Sequence, residues 1–270
     1  MTLHRLQEAI AALLYEPATR EAFARDPRRW ATLQGLAAEE AKVLASVPLD
    51  QVDYFRELQA RDRAYFVEAL FPLTLRLAED PDLVAGFLAA SPYGEEENPK
   101  EAASFREFVH ASHRGSAPRE RALRDLAAYE AALAELRVTP VPEPTLPLLA
   151  RLQPTEHLGL APGLLVLRHE SNLPELVTAL EEGATAFPRR APGVVVLRRA
   201  DVPGGVESAA LDPLDGEILS RLATGATVSG LVALFGSAPA VRRRLPELLE
   251  EGVIVRVPLP PQSPTSPSSH

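Results

Sequence analysis

The sequence contains no cysteine, one methionine, one tryptophan and only two lysines, Lys42 and Lys100, among its 270 residues. Without thiols there is no disulfide, no thiolate metal site and no cysteine nucleophile. No run of 18 apolar residues occurs, so no membrane span is expected. The opening MTLHRLQEAIAALLYEP is broken by Gln7 and Glu8, unlike a signal peptide, and a cytoplasmic location is expected. A surplus of positive charge is also missing: the formal net charge of −9 argues against a constitutive nucleic-acid binder. Recognisable catalytic patterns are absent as well. Pro203-Gly204-Gly205 falls between strands, so it reads as a hairpin turn and not as a phosphate loop. No G-x-S-x-G elbow is present. Of the six histidines, His110 and His113 stand three apart on one helix with only Glu107 at helical spacing, and His157 and His169 are isolated. Neither a metal site nor a general base is expected, and no cofactor is assigned to the chain itself.

What remains is an ordinary globular composition, 46% hydrophobic and 24% charged, long enough for two domains. Residues 1–149 carry 17 basic and 24 acidic side chains, against 11 and 13 in residues 150–270, so the second half is the less acidic. The first half has helical period almost throughout. Asp26-Pro27, Asp80-Pro81 and Asn98-Pro99 read as helix starts, each with a capping side chain followed by proline in the first turn. Leu33-Gln34-Gly35-Leu36 reads as a stop. The longest element, about 51–78, contains Pro72, which should kink or divide it. Six to eight helices are expected over residues 1–137, an all-α bundle, with Trp30, Tyr54, Phe55, Tyr65 and Phe66 filling its core.

Residues 138–150, VTPVPEPTLPLLA, hold four prolines within eight positions and predict an extended linker between domains. Beyond it, 164–170, 193–199 and 206–211 read as strands, with a helix capped by Asn172 and stopped at Gly183 between the first two. The stretch 209–257 is the most ordered motif of the chain. Asp212-Pro213 starts one helix, Thr227 caps a second that ends at Gly236, and a third runs to Gly252, followed by a strand at 253–257. This predicts an α+β chain: the helical bundle, then a small winged-helix-like domain at 151–257 with a three-stranded sheet and three helices. Residues 258–270, Pro/Ser-rich, read as a disordered tail.

The pattern of Leu211, Asp212, Pro213, Ile218, Leu219, Leu222, Gly225, Thr227 and Leu231, closing on Leu245, Leu248, Leu249, Gly252, Val253 and Ile254, resembles the precursor-peptide recognition modules of peptide-modifying systems. More broadly, residues 151–257 are similar to the C-terminal domain of the partner proteins that accompany multinuclear non-haem iron-dependent oxidases of the methanobactin and bufferin type. The resemblance implies a non-catalytic partner protein. It would bind a ribosomally made precursor (leader) peptide and present it to a separate oxidase subunit that holds the iron. It also implies that the leader lies along Val206, Glu207, Ser208, Ala209 and Ala210, beside the third helix with Val241, Arg242, Arg243, Arg244, Leu245 and Leu248. Three arginines at a helix start oppose the helix dipole; they suggest attraction to an acidic leader, or otherwise form a solvated face with one of them paired to Glu247. The alternative is a winged-helix DNA-binding or regulatory protein with that helix as reader. Glu247, Glu250 and Glu251 on the same helix count against it.

Overall fold

The computed structural model describes residues 3–91, 98–140, 152–200, 205–235 and 238–257. The fold is α+β and mostly helical. Two compact units are present: Met1–Leu70 with Glu79–Glu101, and Phe71–Ala78 with Ala102–His270. The first half forms nine helices among the described residues, more than the six to eight expected: α1 (Leu3–Tyr15), α2 (Pro17–Arg25), α3 (Pro27–Leu33), α4 (Ala38–Ala45), α5 (Leu49–Leu70), α6 (Pro72–Ala78), α7 (Leu83–Ala90), α8 (Asn98–Ser112) and α9 (Pro118–Val138).

The first unit holds α1 to α5 and α7. Local chemistry sets its breaks. The Asp26 carboxylate accepts the Arg29 N–H at 3.0 Å and starts α3. Gly35, at φ 71°, turns the chain after α3 in a backbone conformation that costs a side-chain-bearing residue energy. Phe23 and Trp30 meet edge-to-face at 5.4 Å within a core that also buries Leu13, Leu44 and Val52. Of the other aromatics expected there, Tyr54, Phe55 and Tyr65 are 62%, 54% and 74% exposed, and Phe66 is half-buried. The reason is angular. Tyr54 lies about 200° around the α5 axis from the buried Val52, and Tyr65, three turns on, returns to the face of Tyr54.

The second unit begins with α6, which Pro72 does separate from α5. Glu130 of α9, only 3% exposed, receives the first-turn amides of α6: Leu73 N–H at 2.8 Å and Thr74 N–H at 2.9 Å, with the Thr74 hydroxyl at 2.7 Å. Arg119 donates to the Leu77 and Ala78 carbonyls at the other end of α6, at 2.7 and 2.9 Å. Side chains of α9 therefore satisfy orphaned groups at both ends of α6.

After the segment expected as linker, which from residue 141 to 150 lies outside the described residues, come β1 (His157–Leu160), β2 (Leu164–Ser171), α10 (Leu173–Glu181), β3 (Arg190–Arg199), β4 (Val206–Ala210), α11 (Pro213–Leu222), β5 (Ala226–Thr227), α12 (Val228–Leu234), α13 (Ala238–Glu250) and β6 (Ile254–Arg256). The division of the chain does not follow that segment, because α6 and α9 belong to the same compact unit as the strands. The 203–204 part of the hairpin turn, the Gly236 stop and the tail 258–270 also lie outside the described residues.

Among the described residues two three-stranded antiparallel sheets form instead of one, in the orders β5-β1-β6 and β2-β3-β4. The final strand pairs with β1, Leu158 opposite Arg256 and Leu160 opposite Ile254, and not with the strands of the other sheet. Around β1, β5 and β6 the helices α11, α12 and α13 close a winged-helix-like core of Leu158, Ile218, Leu222, Leu231, Val241 and Leu245. The caps foreseen at Asp212 and Thr227 are made. Asp212 accepts Leu214 and Asp215 N–H at 2.8 and 3.0 Å, and Thr227 accepts Gly230 N–H at 3.0 Å. Asn172 does not cap α10 by its side chain. Its carbonyl oxygen accepts Arg189 N–H at 2.9 Å, tying the start of α10 to the approach of β3. No helix among the described residues is long and apolar enough to cross a membrane.

Candidate functional site

The open edge at β4 follows from the register. Leu211 N–H donates to the Val194 carbonyl, and Ala200 N–H to the Gly205 carbonyl, so the hydrogen-bonded pairs along β3 and β4 are those of Glu207 and Ala209. The amides and carbonyls of Val206, Ser208 and Ala210 point to the other side. β4 ends its sheet, and none of its residues is buried. Among the described residues it presents an unpaired ladder that an extended chain can complete. β3 runs on past the end of β4 to Arg190, but Pro192 has no N–H there. An added strand therefore finds its full set of partners along β4.

The residues expected on α13 divide into two groups. Val241, Leu245 and Leu248 are 0%, 1% and 2% exposed and fill the winged-helix core, so they are not surface for a ligand. Helical periodicity places them on one face; their inward direction comes from sharing a core with Leu158, Ile218, Leu231 and Ile254. Arg242 and Arg243 are exposed. Arg244 is not a free cation: its guanidinium bonds Asp215 at 2.8 to 3.1 Å, Glu247 at 3.1 Å and Glu251 at 2.7 Å. Those bonds hold its pKa above the ordinary arginine value, the Asp215 bond contributing most. Arg244 staples α13 to the start of α11.

A second feature of the same unit escaped sequence reasoning. A cleft of about 650 Å³ lies where β2, β3 and the start of α11 meet α8 and α9. Asp125 of α9 builds its wall by accepting three bonds through Oδ2: Glu170 N–H at 3.0 Å, Ser171 N–H at 2.7 Å and the Ser171 hydroxyl at 2.6 Å. His169, 8% exposed, is held through Nδ1 by the Ser171 carbonyl at 2.7 Å. Opposite it in the register stands Gly193, where a Cβ would come within 2.8 Å of the imidazole, so the ring occupies the room a side chain would need. His110 of α8 contacts the Arg124 carbonyl at 3.2 Å through Nε2. Partial burial, aided by the charges of Arg106 and Arg124, keeps its pKa below the ordinary histidine value. Arg168 bonds Glu217 at 2.6 Å, which helps hold that carboxyl below the usual range. These residues are drawn from positions as far apart as 110 and 217, so no local motif announces them.

Among the described residues no group of three or more histidine, aspartate or glutamate side chains is arranged to hold a metal ion. No protein-family model matches the chain, and no curated protein matches it.

Proposed function

We propose that the protein is a peptide-binding adaptor. It takes up an extended, ribosomally made precursor peptide by strand addition along β4 and presents it to a separate iron-dependent oxidase. The observation that carries this reading is the exposed edge of β4, with the backbone groups of Val206, Ser208 and Ala210 turned away from β3. The resemblance of residues 151–257 to the partner proteins of such oxidases supplies the identity of the peptide's destination. On this reading the iron and the chemistry reside in the other subunit, and the work of this chain is orientation and delivery. The duplex-DNA alternative is less well supported. Arg244 is neutralised within its own module, and Glu247, Glu250 and Glu251 share the helix that would read the groove.

The experiment is purification of the tagged full chain expressed with its chromosomal neighbours, followed by mass spectrometry and metal analysis. A co-purifying iron-containing oxidase and a short peptide are expected. A chain that arrives alone, or with nucleic acid released by salt, overturns the proposal.

A further inference from the structure

The long helix α5 is apolar on both of its sides. Val52 and Val67, 6% and 0% exposed, face inward, where α1 and α7 pack against the helix. At 100° per residue, Gln51, Tyr54, Phe55, Leu58, Asp62 and Tyr65 share an arc of about 100° on the far side. Tyr54, Phe55 and Tyr65 are exposed there, with Leu58 half-buried between them. The Tyr54 and Phe55 rings meet edge-to-face at 6.1 Å, on the surface and not in the core. Arg61 and Asp62 border the same stripe, are exposed, and make no ion pair with another described residue. Three large aromatics on four turns of one solvent-facing helix mark a contact surface, since such side chains concentrate where proteins associate.

The order of residues along the stripe indicates what covers it. Turned end for end about Leu58, the stripe is complementary to itself. Leu58 then meets Leu58, Gln51 comes level with Tyr65, and Tyr54 comes beside the Arg61 and Asp62 of the second copy. Each meeting is favourable. The Tyr54 phenol can donate to the Asp62 carboxylate, the Arg61 guanidinium can lie over the Tyr54 ring, and the Gln51 amide can bond the Tyr65 hydroxyl. A twofold axis across the helix makes every one of these contacts twice. It also supplies Arg61 and Asp62 with the partners they lack within their own chain, and it sets the two helix dipoles in opposition.

We propose that the outer face of α5 binds a second copy of this chain, forming an antiparallel, twofold-symmetric dimer with Leu58 on the axis. The exposed parts of Tyr54, Phe55 and Tyr65 on two copies amount to on the order of 800 Å². Leu58 and the flanking Gln51, Arg61 and Asp62 bring the buried surface to about 1,200 Å², the lower bound of a stable interface. The dimer is therefore a reversible one, with a dissociation constant on the order of 10 μM. The surface belongs to the first compact unit and is independent of strand addition at β4, so the two readings fail separately.

The test is sedimentation velocity of the full chain from about 1 to 300 μM, where a monomer–dimer equilibrium is expected. Leu58→Glu and Leu58→Arg each set two like charges on the axis and should weaken the dimer at least about tenfold, with circular dichroism unchanged. Mixed in equal amounts, the two variants set Glu against Arg and should restore a dimer holding one of each, which native mass spectrometry resolves. Tyr65→Ala, at a position 74% exposed, should weaken association about threefold or more without disturbing the core, and covers the case in which the Leu58 variants fail to fold. Ser208→Pro, which blocks the β4 edge, should leave the dimer intact. A native chain that stays monomeric to about 300 μM overturns the proposal and leaves the stripe to a different protein. Dimers that persist in Leu58→Glu, vanish in Ser208→Pro, or fail to return in the mixture of folded Leu58 variants overturn it equally.

Discussion

At the scale of single residues, Glu130 is the most informative. It sits on the apolar face of α9 beside Leu123, Leu126 and Ala127, where a carboxyl is out of place unless something receives it. Burial pushes its pKa from 4.5 up to about 7, although the three donors of α6 pull the other way. Because the folded state binds the proton more tightly than the unfolded chain, the contribution of Glu130 is fully present below pH 4.5 and is lost as the pH rises through about 7. Its size is on the order of 3 kcal/mol. The stability difference between the native chain and Glu130→Gln should therefore shift in favour of the glutamine variant between pH 5 and 8 and be level below that range. Chemical denaturation at several pH values checks it, and a difference that ignores pH would contradict the burial argument. Gly193 makes a second case. Gly193→Ala puts a methyl group 2.8 Å from the His169 ring, so ring or strand must move. A loss of about 1–3 kcal/mol is expected, together with a displaced His169 resonance.

At the scale of elements, β4 and α13 behave oppositely. Ser208 turns its N–H away from β3, so Ser208→Pro should leave the sheet folded and weaken peptide uptake at least about tenfold. Ala209→Pro, which removes a donor facing β3, should damage the sheet itself. Paired measurements of thermal unfolding and peptide binding separate the two effects. On α13, Arg242 and Arg243 are exposed and their replacement by serine should change stability by no more than about 0.5 kcal/mol. Asp215→Ala strips the half-buried Arg244 of its bidentate partner and should cost about 2 kcal/mol, less than for a fully buried pair because Glu247 and Glu251 and partial solvent access remain. Much of this level is legible from sequence. Asp26, Asp212 and Thr227 cap the helices they precede, and Pro72 splits the long helix, because capping and breaking act over three or four residues. The register of β4 is not legible in that way. Which of its residues face outward depends on the pairing with β3 across a turn.

At the scale of the whole molecule, the sheet of β2, β3 and β4 shares its unit with α6 and α9, and Asp125 alone makes three bonds to β2. A fragment beginning at residue 152 discards Asp125, Glu130 and the apolar face of α9. It should lose cooperative thermal unfolding, whereas a chain beginning at residue 71 retains the whole second unit and should keep it. A cooperative transition in the shorter fragment would show that α9 is dispensable. The α+β class, most helix starts and stops and the segment that becomes the winged-helix-like core can be read from the residues in order, since these rest on periodicity and on contacts a few residues apart. That β6 joins β1, that Glu130 receives α6, that Val241, Leu245 and Leu248 turn inward, and that His110, Asp125, His169 and Glu217 line one cleft follows from long-range packing instead. Those outcomes depend on contacts between residues tens of positions apart, whose selection comes from burial and hydrogen-bond satisfaction summed over the entire fold.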